Sequence, residues 1–322
     1  MLKPRIAFMG TPDFAVESLK ELIVNNYNVV LVITAPDKPA GRGLKMQAAP
    51  VKSFALQHSI PVLQPEKLKD EAFLNELKNY NIDLQIVVAF RMLPEVVWKM
   101  PPLGTFNLHA SLLPQYRGAA PINWAVINGE KISGITTFFL KQEIDTGNVI
   151  FREEVAVLEN DTAGDLHDKL MLKGGKLVVK TVEAICNNTV KLFDQAEFIG
   201  DNTILKHAPK IFKDDCRVDW RRNSEEIYNF VRGLSPYPTA WTTLQKVDSE
   251  ETIILKLFEV KKISEKHNYF AGTIFSDGKT FLNISTTDGY IEVCDLQLAG
   301  KKRMKTADFL RGFPIENYDS VS

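Results

Sequence analysis

Cysteine is scarce in this chain, with three in 322 residues: Cys186, Cys216 and Cys294. They lie far apart and none forms a CxxC pair, which excludes a zinc ribbon, a dithiol redox pair and a disulfide framework. We expect all three to be buried thiols in a reducing compartment. Long apolar runs are also missing. No stretch reaches the roughly 18 apolar residues that a membrane-spanning helix needs. Met-Leu-Lys-Pro-Arg passes directly into a strand-like Ile6-Ala-Phe-Met9, without an apolar leader or a small-residue cleavage site. The expected location is the cytoplasm. Charge of one sign is lacking too, because the formal net charge is -1. A nucleic-acid partner would therefore be met by local basic patches, not by a bulk field. No internal repeat or low-complexity tract is present.

Several catalytic signatures are absent as well. After the first strand, Gly10-Thr-Pro-Asp-Phe-Ala15 has one glycine where the dinucleotide fingerprint needs three, so NAD and hydride transfer are not expected. There is no GxSxG nucleophile elbow, and Ser111 lies in a proline turn. No HExxH-like spacing occurs, so no metal is expected.

What remains is an ordinary globular composition, 45% hydrophobic and 25% charged, in a chain long enough for two domains. The expected fold is α/β: a Rossmann-like, mostly parallel sheet with helices on both faces, followed by a small C-terminal OB-like β-barrel. We place the first domain at 1–189, a linker at 190–209 and the second domain at 210–322. In the first, Thr11 is expected to cap a helix that has Pro12 at its first position and runs to about Asn25 or Asn26. Val29–Ile33 reads as a buried strand, and Ala49–Gln57 and Glu66–Asn79 as helices. Leu84-Gln-Ile-Val-Val-Ala-Phe90 is nearly continuous in apolar residues, as suits a central parallel strand covered on both faces. Pro121 should begin a helix. Gly134–Leu140 and Asn148–Val155 should pair as a hairpin with Asp145 near its tip, and Asp161-Thr162 should cap a helix reaching Cys186. Beyond Asn188 come a short helix, Ser224–Gly233, and closely spaced short strands with Gly and Asp turns, the pattern of a small barrel or sandwich.

The chain is organised around Gly104-Thr-Phe-Asn-Leu-His-Ala-Ser-Leu-Leu-Pro-Gln-Tyr-Arg-Gly118. In an extended strand Asn107 and His109 share one face, while Phe106 and Leu108 share the other. Their strand ends where parallel sheets bind ligands. An imidazole moves protons near neutral pH, and a carboxylate beside it orients it. An Asn amide donates to an oxygen that becomes negative in a tetrahedral intermediate. Asn107, His109 and Asp145 together suit transfer of an acyl-type carbon between two heteroatoms. The exit Phe90-Arg-Met-Leu-Pro94 is a second wall of the crevice, or packing. The Pro/Gly-rich Thr34–Met46 carries Lys38, Arg42 and Lys45 with Asp37 as the acidic exception, and reads equally as a functional basic loop or as a solvated link. Lys301-Lys302-Arg303-Met304-Lys305 is a solvated face or a phosphate contact.

The run Asn107-Leu-His109-Ala-Ser111-Leu-Leu-Pro114, with Tyr116-Arg-Gly-Ala-Ala-Pro121 and Asp145-Thr-Gly147, resembles the signature of the 10-formyltetrahydrofolate-dependent formyltransferases. Gly10–Phe14, Pro36–Gly43, Ser235–Trp241 and Ala299–Lys302 resemble the members that act on aminoacylated tRNA, and the likeness covers nearly the whole chain. Val88–Pro94 departs from the better-known pattern, which has a Tyr-Gly pair and is slightly longer. The resemblance implies 10-formyltetrahydrofolate as formyl donor and the α-amine of methionyl-tRNA, the initiator, as acceptor. It implies that Asn107 stabilises the oxyanion, that His109 places and moves protons, and that Asp145 positions His109 or a water. Ser111, Leu112, Leu113 and Pro114, with Phe90, Met92 and Leu93, would hold the folate. Lys38, Arg42 and Lys45, and in the C-terminal domain Arg232, Lys301, Lys302 and Arg303, would contact tRNA. No membrane partner is implied, and the expected acting unit is a monomer. Two other readings stay open: formyl transfer to an amino-sugar nucleotide or a purine precursor, and a non-catalytic RNA-binding protein on an enzyme scaffold.

Overall fold

A computed structural model describes residues 3–40, 45–201 and 204–321. The chain divides into two compact units. The first comprises Met1–Gly118, Ser133–Ala156 and His167–His207; the second comprises Ala119–Ile132, Val157–Leu166 and Ala208–Ser322. Two short stretches from before residue 167 thus cluster with the C-terminal part.

In the first unit the sheet runs in the order Val149–Ala156, Ile132–Phe139, Thr105–His109, Leu84–Val88, Arg5–Gly10, Asn28–Ile33, Val62–Leu63. Arg5–Gly10 pairs in parallel with both Asn28–Ile33 and Leu84–Val88, so the strand order reverses about it. Such a reversal opens a crevice beyond the carboxyl ends of the strands. Thr105–His109 continues the parallel set, and Ile132–Phe139 joins it antiparallel. Every residue of Leu84–Val88 is buried, as its apolar run requires. Ile6, Ala7, Phe8 and Met9 are wholly buried. Each large side chain among them contributes about 1.5–3 kcal/mol by leaving water.

Helix boundaries follow their caps. The first helix is Asp13–Val24, one residue later than expected. Pro12 occupies the N-cap, one position past Thr11, and the Asp13 carboxylate accepts from Phe14 N at 3.0 Å. The helix expected from Glu66 begins at Glu71, where Asp70 accepts from Ala72 N at 2.9 Å and from Phe73 N at 3.4 Å. A carboxylate cap of this kind is worth about 1 kcal/mol, which sets the start more firmly than apolar spacing upstream of it. Thr162 and Asp165 exchange side-chain and backbone bonds at the head of the long helix Ala163–Cys186. The segment after Asn28–Ile33 is not a plain loop: Lys38–Ala40 pairs antiparallel with Lys45–Gln47.

In the second unit the sheet runs Ile274–Ser276, Leu282–Ser285, Tyr290–Leu298, Thr252–Ile263, Ala240–Lys246, Tyr318–Val321, with antiparallel neighbours. Thr273 bridges Ser320, and Val321 N donates to Gly272 O at 2.8 Å, so the sheet nearly closes into a barrel. The helix Ser224–Leu234 carries an Asn223/Glu226 capping box and buries Ile227, Val231 and Leu234 in the same core as Leu255, Leu257 and Leu296. The cysteines are free thiols, but only Cys216 is buried; Cys186 and Cys294 are half-exposed. At Cys294 the thiol is still pushed up to about 11, first by burial and then by Glu292.

Candidate active site

Thr105–His109 fixes the first two groups of the site. Phe106 and Leu108 are buried on one face, which leaves Asn107 and His109 together on the other. Across the sheet Asn107 lies opposite Phe138 and His109 opposite Thr136. The imidazole is 7% exposed, and its Nε2 lies 3.0 Å from Tyr116 O. A carbonyl only accepts, so Nε2 carries the hydrogen and the neutral ring keeps its lone pair on Nδ1. Nδ1 faces Asp145 Oδ2 at 3.9 Å. That is beyond a hydrogen bond yet within direct Coulomb contact, the looseness usual before substrate binds.

Asp145 is held in place by its own turn. Its φ is +55°, a left-handed conformation that Asp tolerates better than most residues. Oδ2 accepts from Gly118 N at 3.1 Å, and Gly118 itself stands at φ +127°. Gly147 presses so close to the preceding strand that a Cβ there would lie 1.6 Å from Phe139 O. The Gln195 amide donates to Asp145 O at 2.7 Å and to Gly147 O at 2.9 Å, and its Oε1 accepts from Arg117. Neither Gln195 nor Arg117 was among the expected site residues. Arg117 lies inside the signature run and so left a trace in the sequence, but Gln195 sits in no motif.

The turn after His109 is equally fixed. The Thr136 hydroxyl donates to Ser111 O at 2.6 Å and accepts from Leu113 N at 3.1 Å, while Ser111 Oγ donates to Gln115 O at 2.6 Å. Leu113 is wholly buried, Pro114 is buried and Leu112 half-buried. On the other expected wall Phe90 is half-buried, Leu93 is buried and Met92 is 74% exposed. Arg91 ties that wall down by donating to Glu66 O at 2.8 Å and to Pro65 O.

The basic residues separate into two kinds. Lys38 is exposed on its hairpin, Lys45 pairs through its backbone with Ala40, and Arg42 lies outside the described residues. Lys301 and Lys302 are exposed. Arg303 is partly committed, with Nε and Nη2 on the Asp295 carboxylate at 2.9 and 3.0 Å. Arg232 corrects the expectation of a phosphate contact. It is 5% exposed, with Nε on Asn229 Oδ1 and Nη1 on Asp161 O, both at 2.8 Å, and burial lowers its pKa. Its position on the helix Ser224–Leu234 faces that unit's interior, which a charge count along the sequence does not reveal. Among the described residues no group of three His, Cys, Asp or Glu is placed to hold a metal ion.

The pattern of the formyl transferase family matches residues 4–182, and that of the formyl transferase C-terminal domain matches 210–314. A methionyl-tRNA formyltransferase from Bacteroides thetaiotaomicron is 58% identical over 97% of this chain and 97% of its own length. One from Flavobacterium johnsoniae is 53% identical over the full length of both. Among solved structures, an N-formyltransferase from Helicobacter canadensis, in complex with folinic acid and dTDP-3-aminofucose, superposes with a TM-score of 0.63 at 21% identity, covering 94% of this chain and 100% of that one. HypX from Aquifex aeolicus superposes with a TM-score of 0.64 at 17% identity over 99% of this chain and 49% of its own. At such identities the last two speak for the fold alone.

Proposed function

This chain belongs to the formyltransferase family, and from that premise we propose that it transfers a formyl group from 10-formyltetrahydrofolate to the α-amine of methionyl-tRNA, giving N-formylmethionyl-tRNA for translation initiation. The observation that carries the chemistry is the meeting of His109 Nδ1 and Asp145 Oδ2 at 3.9 Å, from segments distant in the chain. The acceptor rests on the near full-length likeness to methionyl-tRNA formyltransferases.

The residues fit a polar ligand. Asn107 Oδ1 is shielded from solvent and has no hydrogen-bond partner among the described residues. An unmet buried group of this kind costs about 1–3 kcal/mol, which a bound polar group would remove. When bound, the folate supplies the formyl carbon. Ser111–Pro114 and Phe90, Met92 and Leu93 are the residues that would hold it. The Asn107 amide N–H stabilises negative charge developing on the formyl oxygen, an effect worth about 3–4 kcal/mol in comparable sites. His109 accepts at Nδ1 the proton given up by the attacking amine, with Nε2–H kept on Tyr116 O. Asp145 steadies the resulting imidazolium, which would return the proton to the donor nitrogen as that nitrogen's bond to the formyl carbon breaks and tetrahydrofolate leaves.

In this reading formyl transfer belongs to 1–189, and 210–322 supports tRNA through Lys301, Lys302 and the exposed part of Arg303, with Lys38, Arg42 and Lys45 reaching the acceptor end. The chain acts as a monomer in the cytoplasm; no described helix is long and apolar enough to cross a membrane. The test compares formyl incorporation into charged initiator tRNA, uncharged tRNA and an amino-sugar nucleotide. Incorporation into the charged tRNA alone is expected. Activity only on the sugar overturns the acceptor, and equal labelling of uncharged tRNA overturns the amine as nucleophile.

A further inference from the structure

We propose that Gln195 is a positioning residue for formyl transfer: with Arg117 behind it, it holds the Asp145–Gly147 turn where the His109 imidazole can use the Asp145 carboxylate. The inference rests on the function proposed above. Residues 141–144, which lead into that turn, are exposed, and exposed turns open easily unless something holds them. A displacement of about 1 Å in such a group costs about 10²-fold in rate.

The Gln195 side chain is built for this place. Nε2 donates to Asp145 O at 2.7 Å and to Gly147 O at 2.9 Å, and Oε1 accepts from Arg117 Nη2 at 2.5 Å and Nε at 3.0 Å. A guanidinium only donates and carbonyls only accept, so the group between them needs an acceptor at one end and a donor at the other. A carboxamide has both, and its two neighbours fix which way it points. Glutamate would satisfy Arg117 and repel the two carbonyls. Gln195 is 3% exposed and cannot wander. Phe193 and Val149 exchange backbone bonds at 2.9 and 3.0 Å, and an Asp194/Glu197 capping box begins the single helical turn Gln195–Phe198. Arg117 adds a second connection. Its two chain neighbours carry the backbone groups that orient the pair: Tyr116 O on His109 Nε2, and Gly118 N on Asp145 Oδ2. One strut therefore fixes both partners relative to each other.

The test combines Gln195→Leu, Gln195→Glu and Asp145→Asn, with single-turnover formyl transfer and amide hydrogen exchange on the full chain. Gln195→Leu should lower the transfer rate about 10²-fold, leave both KM values within about threefold, and speed exchange at Gly118 and at 145–147 about tenfold or more. Gln195→Glu should lose at least as much despite its similar size. In the Asp145→Asn background, Gln195→Leu should add no further loss, because its effect passes through that carboxylate. An unchanged rate, or a loss that multiplies undiminished in the Asp145→Asn background, overturns the proposal. If the leucine variant does not fold, Arg117→Lys is expected to give a smaller change in the same direction in both readouts, and no change overturns the proposal. Failure of the unaltered protein to formylate methionyl-tRNA would overturn the acceptor reading instead. The exchange measurement still decides Gln195 in that case, with unaltered protection at Gly118 and 145–147 refuting it.

Discussion

The turn that carries Asp145 and the hairpin Lys38–Ala40/Lys45–Gln47 are both connections within the first unit, and they are held in opposite ways. The turn is fixed near its centre: Gln195 grips two carbonyls, Gly118 N–H grips the carboxylate, and Gly147 lies against Phe139 O. The hairpin is fixed at its root. Asp37 accepts from Lys52 at 2.6 Å and from Gln64 at 2.8 Å, Gln64 also donates to Ala35 O, and beyond them Lys38 is exposed and Met46 is 65% exposed. Chemistry at one carbon needs groups ordered before the substrate arrives. A polyanion is attracted by charge that can reach it, and the attraction survives small changes of geometry.

The difference is broken most severely at its ordered end. His109→Ala or Asp145→Ala should lower the rate of transfer about 10²–10⁴-fold, with tRNA affinity measured by filter binding changed less than about threefold. Equal losses in rate and affinity would mean that these groups bind rather than react. Next, Gly147→Ala forces a Cβ toward Phe139 O and should displace the whole turn. We expect roughly a 10²-fold loss of rate and a lower midpoint of thermal unfolding, and neither change would appear if the turn were soft.

At the reaching end, Lys38→Ala with Arg42→Ala should lower kcat/KM for charged tRNA about tenfold and reduce its log–log salt slope by about one unit for each phosphate no longer neutralised. The KM for folate should stay as it was. A salt slope identical to that of the unaltered protein would remove the hairpin from tRNA recognition. The smallest effect concerns pH. The Lys52 hydrogen bond, then Gln64, holds the Asp37 carboxyl below its ordinary value. A lowered folded-state pKa means the tie at the root is fully present above the usual carboxylate range and is lost as pH falls through the lowered value. Amide protection in 38–40 and 45–47 should therefore exceed that of Lys52→Met at neutral pH, and the difference should shrink as pH falls through the lowered value and vanish below it.

How far these regions were legible beforehand follows the same line. Leu84–Val88 and Ser224–Leu234 declare themselves because burial imposes a local pattern, continuous in one and helical in the other. Asn107 and His109 could be placed on one face because a strand alternates. The hairpin at Lys38 could not be read, since its short pairings rest on a root made by Asp37, Lys52 and Gln64, which are separated in the chain. Arg232 misled because its charge is visible and its burial is not. Gln195 was invisible for a stronger reason: its function lies in meeting Arg117 and the carbonyls of 145 and 147, and no spacing along the chain encodes that meeting.

Tyr116 O keeps the hydrogen on Nε2 of His109 and so leaves Nδ1 to accept a proton beside Asp145. Nitrogen-15 NMR of the neutral His109 ring in the free protein tests this. We predict a hydrogen on Nε2 and none on Nδ1 of the neutral ring. A neutral ring with its hydrogen on Nδ1 would contradict the account.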